Sequence, residues 1–173
     1  MRSHLSQYLL LFLVVGCAQV TLRSDVPEHL DGFLRLPWGL ALDTAQAQML
    51  LRPQVTLDRT LTNSARGVLV FRNVTFLDIP VDRCTLIFFE LGGLSDVQLR
   101  FLRPDTEAAG LFDSLRTSIQ RIYGPGVTGD NRIEWAVQQL RTRALRERRV
   151  ILTLEPTGSI VLHAHADYAE TQH

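Results

Sequence analysis

Polar and apolar side chains alternate along residues 94–102, and this alternation constrains the fold more than any other feature of the sequence. One set of alternate positions is Leu94, Asp96, Gln98 and Arg100. The positions between them include Val97, Leu99 and Phe101. Successive side chains of a β-strand point to opposite faces of a sheet. The pattern therefore predicts a strand with one solvent-facing (wet) face and one buried (dry) face. Such a strand needs neighbours that bury the same dry face, which predicts an antiparallel sheet.

Two further strands are predicted before this one. Residues 67–77 and residues 81–91 are both rich in Val, Leu, Ile and Phe, and Pro80 separates them. Gly92-Gly93 joins the second of these strands to the strand at 94–102, and paired glycines are typical of two-residue hairpin turns. We therefore expect an antiparallel meander with a single buried side.

The segment after the meander has the clearest helical pattern in the chain. Its apolar residues recur at helical spacing: Ala108, Leu111, Phe112, Leu115, Ile119 and Ile122. Asp105 or Thr106 is expected to cap this helix after Pro104, and Gly124-Pro125-Gly126 is expected to end it. The apolar stripe should cover the dry face of the meander.

Weaker patterns flank these elements. A short strand is predicted at 33–39, and a helix capped by Asp43 or Thr44 should follow and end near Leu51. Residues 131–149 fit either a helix or an alternating strand, and we favour the helix because the segment is rich in helix formers. Residues 150–154 and 159–168 predict a terminal hairpin. The predicted fold class is α+β, an antiparallel sheet of meander and C-terminal hairpin with helices packed on one face.

The first residues of the chain have the order of a secretory signal peptide. Arg2 precedes an unbroken apolar run from Tyr8 to Val15, and the small residues Gly16 and Ala18 flank Cys17. The apolar run is about half of the roughly 20 residues that a helix needs to cross a bilayer. Export is therefore expected. Two outcomes are alternatives to the lipid anchor described next. One is ordinary secretion with cleavage after Ala18, and the other is retention of the apolar segment as an anchor.

The sequence Val14-Val15-Gly16-Cys17 resembles the lipobox of bacterial prolipoproteins. The resemblance implies cleavage before Cys17, a diacylglycerol on its sulfur and an acyl chain such as palmitate on its new amine. More than one acyl chain gives stable anchoring. The resemblance also implies an envelope protein at the periplasmic face, with Ala18 favouring the outer membrane over the inner one. The expected organisation is a signal peptide (1–16), a lipidated N-terminus and tether (17–32), one domain (33–168) and a tail (169–173).

A second resemblance covers roughly residues 33–168. Pro37-Trp38-Gly39 near the start, Tyr123-Gly124-Pro125 after the later helix, and a final pair of strands are similar to a diffuse set of small bacterial periplasmic lipoproteins. These residues specify turns and packing, so the resemblance implies a fold and no particular chemistry. Most such proteins have no assigned activity.

The sequence contains no nucleophile elbow, phosphate-binding loop or zinc-protease helix motif, so we expect no enzyme, no catalytic residues and no cofactor. Cys84 lies in an apolar run and is expected to be a buried, unreactive thiol. His163, His165 and Asp167 alternate along the last strand and are candidate zinc ligands. A zinc site needs three or four convergent ligands, so the simpler interpretation is polar alternation on an edge strand, without a metal.

Five arginines near the C-terminus form a local basic cluster: Arg141, Arg143, Arg146, Arg148 and Arg149. The simplest interpretation is a solvated face, and the alternative is a contact with an anionic surface such as lipid phosphate groups. The whole chain carries 18 Lys+Arg and 18 Asp+Glu, so no net charge directs it to nucleic acid.

These observations predict a membrane-anchored periplasmic lipoprotein that acts as a non-enzymatic interaction or accessory module with an envelope protein partner. The alternative is a carrier or sensor of an apolar ligand held between sheet and helix, because both faces of residues 85–91 are rich in Phe and Leu. Neither hypothesis identifies the partner or the ligand.

Overall fold

The computed structural model describes residues 32–89, 93–139 and 146–166. Its helices are α1 (Leu42–Leu50) and α2 (Asp105–Tyr123), and a short 3-10 turn spans Ser64–Arg66. Its strands are β1 (Gly32–Phe33), β2 (Leu36–Pro37), β3 (Thr56–Leu57), β4 (Val68–Arg72), β5 (Val74–Phe76), β6 (Ile79–Val81), β7 (Arg83–Phe89), β8 (Gly93–Leu102), β9 (Val127–Thr128), β10 (Arg132–Gln139), β11 (Arg146–Leu154) and β12 (Ser159–Ala166).

Eight of these strands form one antiparallel sheet in the order β3-β4-β7-β8-β12-β11-β10-β9, which confirms the predicted α+β class. The meander β4-β7-β8 lies on one side, and the C-terminal strands β10, β11 and β12 lie on the other. The pairing of β12 with β8 joins the two halves, from Ser159 opposite Leu102 to His165 opposite Asp96. The outermost strands, β3 and β9, have two residues each.

The predicted strands at 67–77 and 81–91 are not continuous, which corrects the expectation from the sequence. Asn73 has a positive φ of 57° and separates β4 from β5. Leu77 and Asp78 also have positive φ values, of 51° and 62°. Two successive left-handed residues make the turn that suits a tight hairpin, so β5 and β6 pair with each other, outside the large sheet. The predicted strand at 33–39 is likewise a hairpin, β1-β2.

Residues 131–149 contain strands, so the favoured helix is wrong. β10 pairs with β11 from Arg132 opposite Thr153 to Gln139 opposite Arg146. Ile133 and Trp135 are each only 2% exposed, and they point to the same face of β10. This period of two puts both side chains in the core, and pairing with β11 satisfies the backbone, so tertiary contacts override the helix propensity.

Helix α2 ends at Tyr123 as predicted and begins slightly earlier than predicted, at Asp105; Ala108, Leu115 and Ile119 of its apolar stripe are buried. However, α2 packs on β10, β11 and β12, whereas α1 packs beside β8. The expected capping residues are also wrong. Pro104 and Ala41 occupy the N-cap positions, without a side-chain cap hydrogen bond. Asp105 and Asp43 lie in the first helical turns, where a carboxylate interacts favourably with the helix dipole.

One hydrophobic core runs under the central strands of the sheet. It extends from Phe33 and Leu36, through Leu99 and Leu162, to Ile119 of α2. Cys84 is fully buried in it, as predicted, and burial raises the pKa of this thiol to about 12 although Arg52 acts in the opposite direction. None of the described helices is both long enough and apolar enough to cross a bilayer.

Gly39, one of the residues in the motif at positions 37–39, has a structural role here. Gly39 donates its backbone N–H to the carbonyl of Leu94, and Leu94 donates to the carbonyl of Leu40, both at 2.9 Å. Gly93 has a positive φ of 72°, and a Cβ at this position would lie 2.3 Å from the carbonyl oxygen of Gly39. Glycine is therefore required where the N-terminal turn meets the start of β8.

We expect Leu99→Ala to lower the free energy of unfolding by about 2–5 kcal/mol, because Leu99 is fully buried and its loss leaves a cavity. Leu102→Ala is the matched control, since Leu102 lies on the same strand and is 54% exposed. Urea denaturation followed by circular dichroism measures both. Equal losses for the two variants would contradict the assignment of the two faces.

We expect the stability to fall as the pH drops from about 4 to about 2, partly through Asp58. Hydrogen bonds from Thr60 and Arg72 lower the pKa of Asp58 to about 2. An unfolded aspartate titrates near 3.9, so this contribution is complete above pH 4 and is lost as the folded carboxyl protonates. Denaturation of Asp58→Asn across this range should show a shallower acid loss than wild type. Superimposable acid profiles would show that these hydrogen bonds do not stabilise the fold.

Candidate functional site

The sheet has one face covered by the helices and one face that we call the open face. The open face is formed by half-buried side chains from five adjacent strands: Thr85, Ile87, Asp96, Gln98, Arg100, Val161, His163, His165, Arg149, Ile151, Thr153 and Glu134. Their sequence neighbours on the same strands are buried in the core, as expected from the alternation along each strand. Most titratable groups of the open face lie on β8, β12 and β11.

Strand register brings one carboxylate and two imidazoles together on the open face. Asp96 of β8 lies directly opposite His165 of β12, and His163 lies opposite Gln98. Directly opposite residues of an antiparallel pair have Cβ atoms about 5 Å apart, and diagonal neighbours are still within reach of long side chains. Asp96 can therefore contact both histidines, which stand two residues apart on the same face of β12.

Both imidazoles contact the same oxygen of Asp96. His163 Nε2 lies 2.8 Å from Asp96 Oδ1, and His165 Nδ1 lies 2.7 Å from it. The other oxygen, Oδ2, accepts a hydrogen bond of 2.7 Å from the hydroxyl of Ser95, which is fully buried. The side chain of Asp96 is 13% exposed, and those of His163 and His165 are 31% and 27% exposed. The cluster is thus reachable from solvent on the histidine side and held from below by Ser95.

Two opposing effects act on the pKa of Asp96. Burial of the carboxyl by itself raises the pKa, but the hydrogen bonds from His163 and Ser95 and the charge and hydrogen bond of His165 lower it. The net result is a pKa of about 2, so Asp96 is ionised at neutral pH. An ionised carboxylate only accepts hydrogen bonds, and each contacting imidazole nitrogen must therefore carry a proton.

The same three side chains form a possible metal-ligand set. One ligand atom from each of the three side chains lies within 4.8 Å of the other two. Two imidazoles and one carboxylate are ligands that zinc and related transition metals prefer. The arrangement can therefore act as a hydrogen-bonded cluster. Once His163 Nε2 and His165 Nδ1 lose the protons that point to Asp96, it can act instead as a cation site.

The structure brings together part of the histidine set predicted from the sequence. His163 and His165 share one face of β12, as expected, but β12 lies between β8 and β11 and is not an edge strand, which corrects that prediction. Asp167 lies outside the described residues. The carboxylate comes instead from Asp96, 67 residues before His163. Its place on the wet face of β8 was visible in the sequence, whereas the pairing of β8 with β12 was not.

The basic cluster is partly described. Arg141 and Arg143 lie outside the described residues, and Arg146 begins β11. Arg148 and Arg149 are adjacent on this strand, so they project to opposite faces of the sheet. Arg149 Nε lies 3.8 Å from Glu134 Oε1 on the open face. Contact of these arginines with an anionic surface stays a prediction.

The residues that resemble a lipobox, including Cys17, also lie outside the described residues. Comparisons with protein-family models, with curated proteins and with solved structures return no match for this chain. Function must therefore be inferred from the geometry of the domain and from the sequence itself.

We expect Asp96 to select an unusual pair of tautomers in the metal-free protein. Neutral His163 should carry its proton on Nε2 and neutral His165 on Nδ1, because each of these nitrogens donates to Asp96 Oδ1. Nitrogen chemical shifts of the imidazoles, recorded at about pH 9 after treatment with a chelator, distinguish the tautomers, since imidazole ordinarily titrates near 6.5.

The matched variant is Asp96→Ala, in which His165 should lose its preference for the Nδ1 proton. If wild-type His165 carries its proton on Nε2, or if the variant leaves the nitrogen shifts of both rings unchanged, the hydrogen bonds to Asp96 do not set the tautomers.

Proposed function

We propose that this chain is a lipid-anchored protein of the bacterial envelope whose single α+β domain is a non-enzymatic interaction module. The observation that carries the proposal is the open face, where polar and charged side chains lie half-buried across the centre of a large sheet. The opposite face of the same strands packs into the core with the helices. A broad polar face on a rigid sheet is suited to binding another protein surface.

The first described residues set the length of the proposed tether. Gly32 begins β1, and Phe33 and Leu36 are 1% and 0% exposed, so the chain enters the core at once. Residues 17–31 would connect a lipid on Cys17 to this point. Fully extended, they reach roughly 50 Å, so the domain would stay close to the membrane that carries the anchor.

The charge pattern of the open face favours a protein partner over a uniformly charged surface. Arg100 pairs with Glu155 at 3.1 Å, and Arg132 pairs with Glu134 at 3.0 Å. Both signs of charge are therefore interspersed. Exposed ion pairs of this kind are individually weak, so a partner can exchange them for pairs across an interface at small cost. A surface with interspersed charges binds best to a protein surface that carries the opposite charges at matching positions.

Two titratable groups of the described residues have pKa values that do not suit catalysis at neutral pH. The pKa of Asp96, near 2, makes this carboxylate a weak general base at neutral pH. Burial raises the pKa of the Cys84 thiol to about 12, which disfavours the reactive thiolate.

The apolar-ligand hypothesis has less support from the structure. A cleft of about 570 Å³ lies where the N-terminal turn meets the start of β8, and Gly39, Leu42, Arg66 and Phe88 are among its lining residues. Leu42 of α1 and Phe88 of β7 both line it, so the cleft does lie between a helix and the sheet. Ser64 and Arg66 also line it, so it is not a purely apolar space, and the hypothesis stays a prediction.

The anchor is tested by producing the full chain in a bacterial host that processes prolipoproteins. Wild type should fractionate with membranes and show a diacylated, N-acylated cysteine as its first residue by mass spectrometry. Cys17→Ser should leave the membrane fraction without an acyl group. An unacylated wild-type N-terminus after cleavage would contradict the lipid anchor.

The binding role is tested in the same cells with a photo-crosslinking amino acid placed at one site at a time. Gln98 is half-buried on the open face, and exposed Gln120 on α2 is the matched control. We expect a discrete adduct with one envelope protein from position 98, which weakens in the Cys17→Ser background, and no such adduct from position 120. Equal adducts from both positions, or none from position 98, would contradict an interface on the open face.

A further inference from the structure

We propose that Asp96, His163 and His165 form a binding site for a divalent transition metal ion, with Zn²⁺ as its natural occupant. The ion would take three protein ligands, Asp96 Oδ1, His163 Nε2 and His165 Nδ1, and water as the fourth ligand on the solvent side. This inference concerns binding of the ion and no reaction. It goes beyond the interaction role and does not depend on the lipid anchor.

The donor set determines which ions the site would select. Two imidazole nitrogens and one carboxylate oxygen suit Zn²⁺, Co²⁺, Ni²⁺ and Cu²⁺, whereas Mg²⁺ and Ca²⁺ prefer sites made only of oxygen. Zn²⁺ accepts tetrahedral coordination by three protein ligands and a water molecule. The site should therefore discriminate strongly between Zn²⁺ and Mg²⁺.

The two distances from the Asp96 oxygen to the imidazole nitrogens are already close to the spacing that a metal requires. In a tetrahedron with bonds of 2.0–2.1 Å, neighbouring ligand atoms lie about 3.3 Å apart. Asp96 Oδ1 is 2.8 Å from His163 Nε2 and 2.7 Å from His165 Nδ1. Binding would thus need each nitrogen to move outward by about half an ångström and to exchange its proton for the metal, with the proton lost or moved to the other ring nitrogen.

The ligands are supported by groups that hold their orientation. Ser95 is fully buried and donates to Asp96 Oδ2 at 2.7 Å, which turns Oδ1 towards the two imidazoles. Strands β8 and β12 each have paired neighbours on both sides, so the backbone that carries the ligands is held in place. Groups that orient metal ligands in this way commonly change metal affinity by 10–100-fold when they are removed. Ser95 is therefore a positioning residue of the proposed site.

One neighbouring charge opposes the binding of a cation. Arg149 lies directly opposite His165 on the open face. Glu134 Oε1 is 3.8 Å from Arg149 Nε, so a carboxylate partly balances this guanidinium. The three ligands themselves contribute one carboxylate charge, which is a sufficient charge for sites in which two ligands are neutral imidazoles.

The test uses the full-length protein, purified in detergent without a polyhistidine tag and freed of metal with a chelator. Isothermal titration should show one Zn²⁺ ion bound per chain at micromolar concentration and no heat with Mg²⁺. His163→Gln, His165→Gln and Asp96→Asn should each weaken Zn²⁺ binding at least tenfold, and Ser95→Ala should weaken it about 10–100-fold. Asp113→Asn, on the exposed side of α2, is the matched control and should bind as wild type does.

A second measurement on wild type alone keeps the proposal testable if the variants fail to fold. Zn²⁺ should protect His163 and His165 from modification by diethylpyrocarbonate while His173 stays reactive, and mass spectrometry of peptides distinguishes the three. No heat with Zn²⁺ at micromolar protein would overturn the proposal. Equal Zn²⁺ binding by wild type and by the folded His163→Gln and His165→Gln variants, or protection of His173 alone, would also overturn it.

Discussion

The pairing of β8 with β12 is the interaction on which the rest of the structure depends. β8 ends the N-terminal meander and β12 ends the C-terminal three-stranded unit, so their ladder makes one sheet from two. It also aligns the buried side chains of both halves, since Phe101 faces Ile160 and Leu99 faces Leu162 across the junction. One hydrophobic core can then extend beneath all of the central strands.

The same ladder produces the candidate site on the other side of the sheet. A register in which Leu99 is opposite Leu162 necessarily sets Asp96 opposite His165, because both pairs belong to one continuous antiparallel alignment. A slip by one residue would send every side chain of β12 to the wrong face and would bury both histidines. The burial of apolar side chains therefore stabilises the position of the polar cluster. The polar cluster can therefore be well ordered even if it contributes little to the stability of the fold.

Most of the elements were predictable from local pattern. The bounds of α2 follow from an apolar stripe at helical spacing and from the glycine after Tyr123, and both signals are local. β8 follows from its alternation, although Leu94 is buried with the dry residues because the register shifts between Ile87 and Phe88. Residues 131–149 were misassigned, since helix formers suggest a helix wherever no partner strand is known. Ile133 and Trp135 are strand residues because β11 pairs beside them and the core lies beneath.

The candidate site also combines features that follow from local sequence with features that depend on strand pairing. That His163 and His165 share a face, and that Asp96 lies on the wet side of its own strand, follow from the two-residue period of β-strands and from nothing else. The sequence by itself also determined the lipobox resemblance, the buried thiol of Cys84 and the α+β class. Only the tertiary structure decided that β12 lies inside the sheet, that α2 covers the C-terminal strands, and that Asp96 meets the two histidines. Strand pairing over 67 residues of chain depends on which surfaces bury the most apolar area together, and local sequence patterns do not encode that choice.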